Sequence, residues 1–183
     1  MKNLSQETGR SMIEMLGVLA IIGVLSVGGI AGYSMAMAKF KTTKAVDQIQ
    51  TITTNVRTLL AGQRRWPKEG SIKGKSWYDL GVFTDETYNS GDSGFNAYGG
   101  TIDITTGAST ARTFDVAYDG IPQDACVKLG TSDWGGDAGS GLVSIKIGST
   151  TFSWTLNNLP PSLAEVASAC GNKTSNKLTW TYK

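Results

Sequence analysis

Residues 10–39 read RSMIEMLGVLAIIGVLSVGGIAGYSMAMAK, an apolar run in which Glu14 is the only charged side chain between the terminal Arg and Lys. As an α-helix, residues 15–38 would be about 36 Å long, and a hydrocarbon core is about 30 Å thick. The run is also longer than the apolar region of a cleaved secretory signal, which usually has about 7 to 15 residues. We therefore predict a membrane-spanning helix.

Residues 9–14, Gly-Arg-Ser-Met-Ile-Glu, followed by this apolar run, resemble the processing and assembly region of type IV pilins and their relatives. Such proteins have a short polar leader that ends in glycine and a glutamate at the fifth position of the mature chain. The resemblance implies that residues 1–9 are a leader and that a prepilin peptidase cuts between Gly9 and Arg10. It also implies methylation of the new amino terminus on Arg10, where relatives usually have an apolar or aromatic residue.

Glu14 needs a partner, because a carboxylate in a membrane helix costs about 2.5 to 3.5 kcal/mol. The amine of Arg10 would lie one turn away, but two groups on one helix cannot both lie deep in lipid and stay well paired. The amine of a neighbouring, axially displaced subunit can meet Glu14 there. We hypothesise that Glu14 sets the register of identical helices; the alternative is a side chain that extends to the headgroup level.

Gly28 and Gly32 form a GxxxG pair, which permits close approach of two helices. Glycine is also frequent in membrane helices that lack this role, so the two interpretations stay open.

The cysteines indicate the topology, since basic residues lie on both sides of the apolar run. Cys126 and Cys170 are the only two, and an even pair in an exported domain predicts one disulfide. It would close a loop of about 45 residues; two buried free thiols are the alternative. The consistent topology is a cytoplasmic leader and an exported C-terminal domain.

Residues 39–62 are predicted to continue the helix as an amphipathic half, so that the assembly half covers residues 10–38. Apolar side chains recur there at three- and four-residue steps, which places on one face Val46, Ile49, Ile52, Val56, Leu59 and Leu60. Gly62 is the natural stop.

Residues 63–183 are enough for one head domain and show five alternating sets that predict strands. These sets are Ile102 and Ile104; Phe114, Val116 and Tyr118; Val143, Ile145 and Ile147; Phe152, Trp154 and Leu156; and Leu178, Trp180 and Tyr182. Short helices are predicted over 122–129 and 162–170, the second with Ser162 and Glu165 as a capping box. The predicted fold class is α+β, a long N-terminal helix packed on an antiparallel sheet of about five strands. This order also resembles pilins, and residues 116–122, which lead into Cys126, resemble the type IVb branch.

Other functions find little support. The chain has no histidine and no GxxxxGK loop, and Asp103 and Asp115 lie on the polar side of their strands, so we expect no enzyme and no cofactor. Residues 63–75 combine basic side chains with Trp66, but a net charge of +2 argues against nucleic-acid binding, and we expect a solvated loop or a charged patch between subunits. Asp133 and Asp137 in the 131–141 loop are too few for calcium, which takes six to eight oxygens.

The favoured function is a structural subunit that polymerises with itself into a type IV pilus, for adhesion, aggregation or conjugal contact. The alternatives are a minor pilin or secretion pseudopilin, and a membrane-anchored domain that never polymerises. The resemblance implies two further partners, the prepilin peptidase and the inner-membrane assembly machinery. It also implies a Gram-negative inner-membrane location with a periplasmic head, followed by an extracellular filament.

Overall fold

The computed structural model describes residues 5–64, 66–107, 112–135, 140–172 and 174–183, with side chains from residue 12 onward. The chain divides into two compact units, Met1–Phe40 and Lys41–Lys183. The elements in chain order are α1 (Ser5–Ala61), α2 (Gly74–Asp79), β1 (Gly94–Phe95), β2 (Thr101–Thr106), β3 (Phe114–Ile121), α3 (Gln123–Thr131), β4 (Leu142–Ile147), β5 (Thr150–Ser153), α4 (Leu163–Ala169) and β6 (Asn176–Tyr182).

Helix α1 contains both halves of the predicted N-terminal helix and ends at Ala61, directly before the predicted stop at Gly62. In its C-terminal half, the predicted face is confirmed: four of the six residues are at most 1% exposed, and Val46 and Leu59 are partly buried. The fully buried four are Ile49, Ile52, Val56 and Leu60. The predicted borders at residues 9 and 38 stay predictions.

The strands form one antiparallel sheet in the order β1-β2-β3-β6-β4-β5, which confirms the predicted α+β class. The sheet has six strands where about five were predicted, because β1 has only two residues and cannot show an alternation. Its inner face packs against α1 in one hydrophobic core, with Phe114, Tyr118 and Trp180 fully buried. Tyr118 and Trp180 meet edge to face at 5.8 Å.

Two strand predictions need correction. The set Phe152, Trp154 and Leu156 does not form one strand: β5 ends at Ser153, and Leu156 lies in the following turn with 62% exposure. In β4, a register shift between Leu142 and Ser144 turns Leu142 inward instead of Val143. Both irregularities break the two-residue period on which strand prediction depends.

The connection between α1 and the sheet contains one short helix that the sequence analysis did not predict. Helix α2 begins at Gly74 and places Trp77 in the core, where the indole N–H donates to the Ile104 carbonyl at 3.1 Å. Gly74 has no room for a side chain, because a Cβ there would collide with the main chain of Asp92. The indole therefore fixes the connecting segment to β2.

The turn before β2 is fixed by Asn96. Its side-chain oxygen accepts from the Tyr98 and Gly100 amides at 2.9 and 3.0 Å, and its amide donates to the Asp119 carbonyl at 2.7 Å. Asn96 is 6% exposed, so these bonds satisfy a buried carboxamide. The side chain thus joins the turn to β3.

The predicted disulfide is confirmed: Cys126 in α3 joins Cys170 at the end of α4, with Cα atoms 6.0 Å apart. Both residues are fully buried. The predicted capping box of α4 is also present, since Glu165 N–H donates to Ser162 Oγ at 3.3 Å and Ser162 N–H donates to Glu165 Oε2 at 2.9 Å. The Ser162 hydroxyl, and then its backbone N–H, lower the pKa of Glu165.

Removing the disulfide is expected to destabilise the Lys41–Lys183 unit by about 4 kcal/mol, because the cross-link closes a loop with a sequence separation of 44. The measurement is urea unfolding of the C126A/C170A double variant against the oxidised chain. Reductant should lower the unfolding midpoint of the wild type and leave the midpoint of the double variant unchanged. An unfolding midpoint that does not move in either comparison would contradict the prediction.

Stability should depend little on pH between about 6 and 9, because the chain has no histidine. Above that range it should fall, since burial raises the pKa of Tyr182 to about 12 from about 10 in the unfolded chain. Between about pH 10 and 12 the folded state keeps the Tyr182 proton that the unfolded state loses. The contribution of Tyr182 to the free energy of unfolding is therefore fully present below about pH 10 and is lost as pH rises through about 12. Chemical unfolding at a series of pH values tests this. Tyr182→Phe should make the alkaline limb shallower without removing it, because burial also raises the pKa of Tyr118.

Candidate assembly surface

In the part of the chain that the structure describes, the first half of α1 presents an exposed apolar surface. Its exposed large apolar side chains, from Met12 to Phe40, are 52–75% exposed. By length and composition, residues 12–61 include a segment that can cross a membrane. These side chains are Met12, Ile13, Met15, Leu16, Val18, Leu19, Ile21, Ile22, Val24, Leu25, Val27, Ile30, Tyr33, Met35 and Phe40.

Two hydroxyl groups on this surface bond to the helix itself. Ser26 Oγ donates to the Ile22 carbonyl at 2.7 Å, and Ser34 Oγ donates to the Ala31 carbonyl at 2.8 Å. Internal bonds of this kind remove the cost of placing a hydroxyl group in hydrocarbon. The surface is therefore suited to an apolar surrounding at these two positions also.

Glu14 lies near the start of this surface with an exposed side chain. Glu14 and Gly32 are 18 residues apart, which is five turns of 3.6 residues, so they lie on one line along α1 about 27 Å apart. Gly28, one turn before Gly32, shares that side of the helix. The predicted register residue and the predicted close-approach pair thus occupy the same face.

The glycines of this segment are not required by packing within the chain. A Cβ added at Gly28 or Gly32 would meet no atom within 4 Å, and the same holds for Gly23. Glycine weakens a helix by about 0.5–1 kcal/mol relative to alanine. At these positions, contacts among the described residues do not offset that loss of helix stability. That observation favours a role in contact with another helix.

Gly9 and Arg10, the predicted cleavage and methylation residues, lie in the first turns of α1. Their side chains are outside the part of the chain that the structure describes. Cleavage and methylation at this position stay predictions.

Polar contacts hold the amphipathic half of α1 on the head. The hydroxyl groups of Thr42 and Tyr98 lie 2.9 Å apart, and burial raises the pKa of Tyr98. Lys44 pairs with Glu86. These pairs join residues more than 40 positions apart, so the sequence alone gave no signal for them.

Arg57 makes a second attachment farther along α1. Its guanidinium carbon lies 5.0 Å from the centre of the Tyr182 ring, and its Nη2 donates to the Ser140 carbonyl. The Lys183 amide donates to the Gly141 carbonyl at 2.8 Å. Arg57 therefore ties α1 both to β6 and to the segment that precedes β4.

The structure also places two other sites considered from the sequence, the basic 63–75 segment and the pair Asp103 and Asp115. In the 63–75 segment, Lys73 and Lys75 pair with Asp92 and Asp79 at 3.1 and 2.8 Å, which reduces the basic surface proposed for nucleic acid. Asp103 and Asp115 do lie together, in an open cleft of about 430 Å³ on the polar face of the sheet. Ser93 donates to Asp103 at 2.5 Å there.

The calcium candidate lies partly outside the described residues, which include Asp133 but not Asp137. Among the described residues, no group of three or more His, Cys, Asp or Glu side chains could hold a metal ion. Trp134 of the same loop is buried, and its indole donates to the Leu129 carbonyl at 2.7 Å. Its role in the described structure is packing.

The comparison with protein families decides the class. A family model described as PilS N terminal matches residues 39–183, which is more than half of the chain. The chain belongs to the PilS family of type IV pilins. The apolar N-terminal helix and the Cys126–Cys170 disulfide are the features that the sequence predicted for such a protein. Type IV pilins are structural, non-enzymatic proteins.

A solved pilin structure shares the fold. The pilin is similar to TcpA, a type IV pilin from Vibrio cholerae El Tor biotype, with a TM-score of 0.51 and 12% identity over 79% of this chain and 99% of that chain. It also matches the type IVb pilin PilS from Salmonella typhi, with a TM-score of 0.46 and 22% identity over 77% of this chain and 95% of that one. No curated protein matches the chain.

Gly32→Leu is expected to leave the monomeric helix intact and to weaken helix association by an amount on the order of 1 kcal/mol, the scale of single contacts between membrane helices. Association of the full-length pilin in lipid bilayers, followed by energy transfer between labelled copies, measures the effect. Gly23→Leu is the matched control, because Gly23 also has no neighbour within 4 Å but lies on the opposite side of α1. Equal weakening by both variants would exclude a specific glycine face.

Proposed function

We propose that this pilin is the structural subunit of a type IV pilus, and that it polymerises through α1 after removal of residues 1–9. The observation that carries the proposal is the exposed apolar surface of α1 with Glu14 as its charged residue. Apolar surface of this extent needs a cover. Lipid covers it in the precursor, and the helices of other copies cover it in the filament.

Glu14 gives the polymer its register. In the low-dielectric surroundings of packed helices, a stagger that brings the amine of a neighbouring Arg10 to Glu14 places opposite charges together, and we expect this pairing to favour that stagger by about 2.5–3.5 kcal/mol, the cost of a carboxylate in a membrane helix. Because Gly28 and Gly32 share the face of Glu14, the neighbour that supplies the amine also finds the positions at which two helices approach closely.

Arg10 extends this arrangement. Its guanidinium adds a second cation beside the new amine, so that Glu14 meets two positive groups. A guanidinium also presents paired N–H donors that match the two oxygens of a carboxylate. In this proposal, Arg10 strengthens the correct register where relatives with an apolar first residue depend on the amine alone.

The head supports a role as the main repeating subunit. The buried residues of the Lys41–Lys183 unit form one hydrophobic core, and the disulfide closes its C-terminal part. Such a body suits a repeated outer surface for adhesion, aggregation or conjugal contact. The prepilin peptidase and the inner-membrane assembly machinery are the partners that this route requires, with a periplasmic head before assembly in a Gram-negative cell.

Glu14→Gln tests the proposal, because it removes the charge and keeps the shape. Filaments sheared from cells should fall about 100-fold, because without the charge the correct stagger loses its preference of about 2.5–3.5 kcal/mol over other staggers. Glu69→Gln, the same change at an exposed position of the head, should leave filament yield unchanged. The intact mass of wild-type filament subunits should show loss of residues 1–9, a methylated Arg10 amine and oxidised cysteines.

Normal filaments from Glu14→Gln would contradict the register mechanism. Filament subunits that retain residues 1–9 would contradict the processing step. Subunits present only as a trace of the sheared filament would assign the pilin a minor role instead of the main one.

A further inference from the structure

Strand β5 forms one edge of the sheet, since it pairs with β4 and, among the described residues, no strand lies on its other side. Thr151 and Ser153 oppose Lys146 and Ser144 of β4. The Thr151 carbonyl and the amide and carbonyl of Ser153 bond to Asn158 and not to β4, so these groups point away from β4. Outward N–H and C=O groups on an edge strand are a template for the strand of another chain. How this edge is closed therefore bears on which contacts between copies can form.

Asn158 occupies the outward groups of β5. Its Oδ1 accepts from the Ser153 amide at 2.8 Å, its Nδ2 donates to the Thr151 carbonyl at 3.3 Å, and its own amide donates to the Ser153 carbonyl at 3.4 Å. One residue thus supplies the acceptor and the donors that an added strand would supply. The side-chain amide imitates a peptide group, because both present one C=O and at least one N–H in the same plane.

The turn between β5 and Asn158 holds the carboxamide in place. The Trp154 indole donates to the Leu142 carbonyl at 3.0 Å, and the Leu156 amide donates to Ser153 Oγ at 3.2 Å. Asn157 takes the left-handed conformation with φ 56°, which asparagine tolerates better than most residues, and reverses the chain toward the edge. Asn158 is therefore positioned by the chain that leaves β5.

We propose that Asn158 is an autoinhibitory cap on the edge of the sheet, which prevents β5 of a second copy from adding to β5. The occupant is β5 itself, because the opposite edge strand, β1, has only two residues and is too short to pair stably. Leu156, 62% exposed beside this edge, would be covered by such a pair. The inference goes beyond the proposed function, since it concerns a contact through the heads and not through α1.

The test compares the full-length pilin with Asn158→Ala in the same detergent micelles. Hydrogen exchange of the Ser153 amide, measured by NMR, should accelerate about tenfold or more when its acceptor is removed. Sedimentation should then show a concentration-dependent dimer in addition to the association that the wild type shows through α1. Adding Thr151→Pro should abolish the dimer, because Pro removes an outward N–H, costs no bond to β4 and blocks strand addition.

Asn172→Ala is the matched control. It removes another turn asparagine, whose Oδ1 accepts from the Thr174 amide at 3.1 Å, without touching β5, and should cause no dimer. Asn158→Asp provides a second, independent test: it keeps the acceptor for the Ser153 amide, so that amide should stay protected, and its charge should keep the edge monomeric.

Unchanged Ser153 exchange in Asn158→Ala would overturn the cap. Faster exchange without a dimer would overturn the assignment of the occupant, and so would a dimer that persists with Thr151→Pro. If Asn158→Ala does not fold, rapid exchange of Ser153 in Asn158→Asp overturns the cap. Filament loss in Glu14→Gln has no bearing on these outcomes, so the two proposals fail separately.

Discussion

The Lys41–Lys183 unit depends on the contact between one face of α1 and the inner face of the sheet. Ile49, Ile52 and Val56 are at most 1% exposed, and they share the core with Trp180 and Tyr118. Burying such side chains contributes about 1.5–3 kcal/mol each, whereas the threonine-rich sequence around them forms a poor helix on its own. The sheet therefore holds this half of α1 helical, and α1 in turn covers the apolar side of the sheet.

This contact also explains how one helix can have two unlike halves. Toward Ala61, apolar side chains repeat on one face and the sheet covers them. Before Phe40, they surround the helix, and within the chain they are exposed. Polar contacts of α1 with the head lie in the covered half, at Thr42, Lys44, Asn55 and Arg57. The exposed half keeps its apolar surface for lipid or for other helices.

Much of this could be predicted because the signals are local. The three- and four-residue spacing from Val46 to Leu60 identified the buried helix face, and alternation located five strands, although the start of β4 and the end of β5 were wrong. Helix α2 escaped prediction because basic residues surround Trp77, whose burial depends on an acceptor 27 residues away at Ile104. Arg57 and Asn158 could not be assigned for the same reason, since their roles depend on folded geometry. For the candidate site, Glu14, Gly28 and Gly32 could be predicted from the sequence, and helical geometry places them on one face. The contacts that hold α1 on the head could not be predicted, because no local pattern indicates them.

The position of β6 has a consequence for the order of events during biogenesis. It is the last strand in the sequence, yet it lies in the middle of the sheet between β3 and β4. Until residues 176–182 are synthesised, the earlier strands form two separate groups, each with an open edge where β6 belongs. The sheet is therefore complete only when the last strand is available, and a chain that stops before residue 176 would expose two unpaired edges instead of forming a smaller stable head.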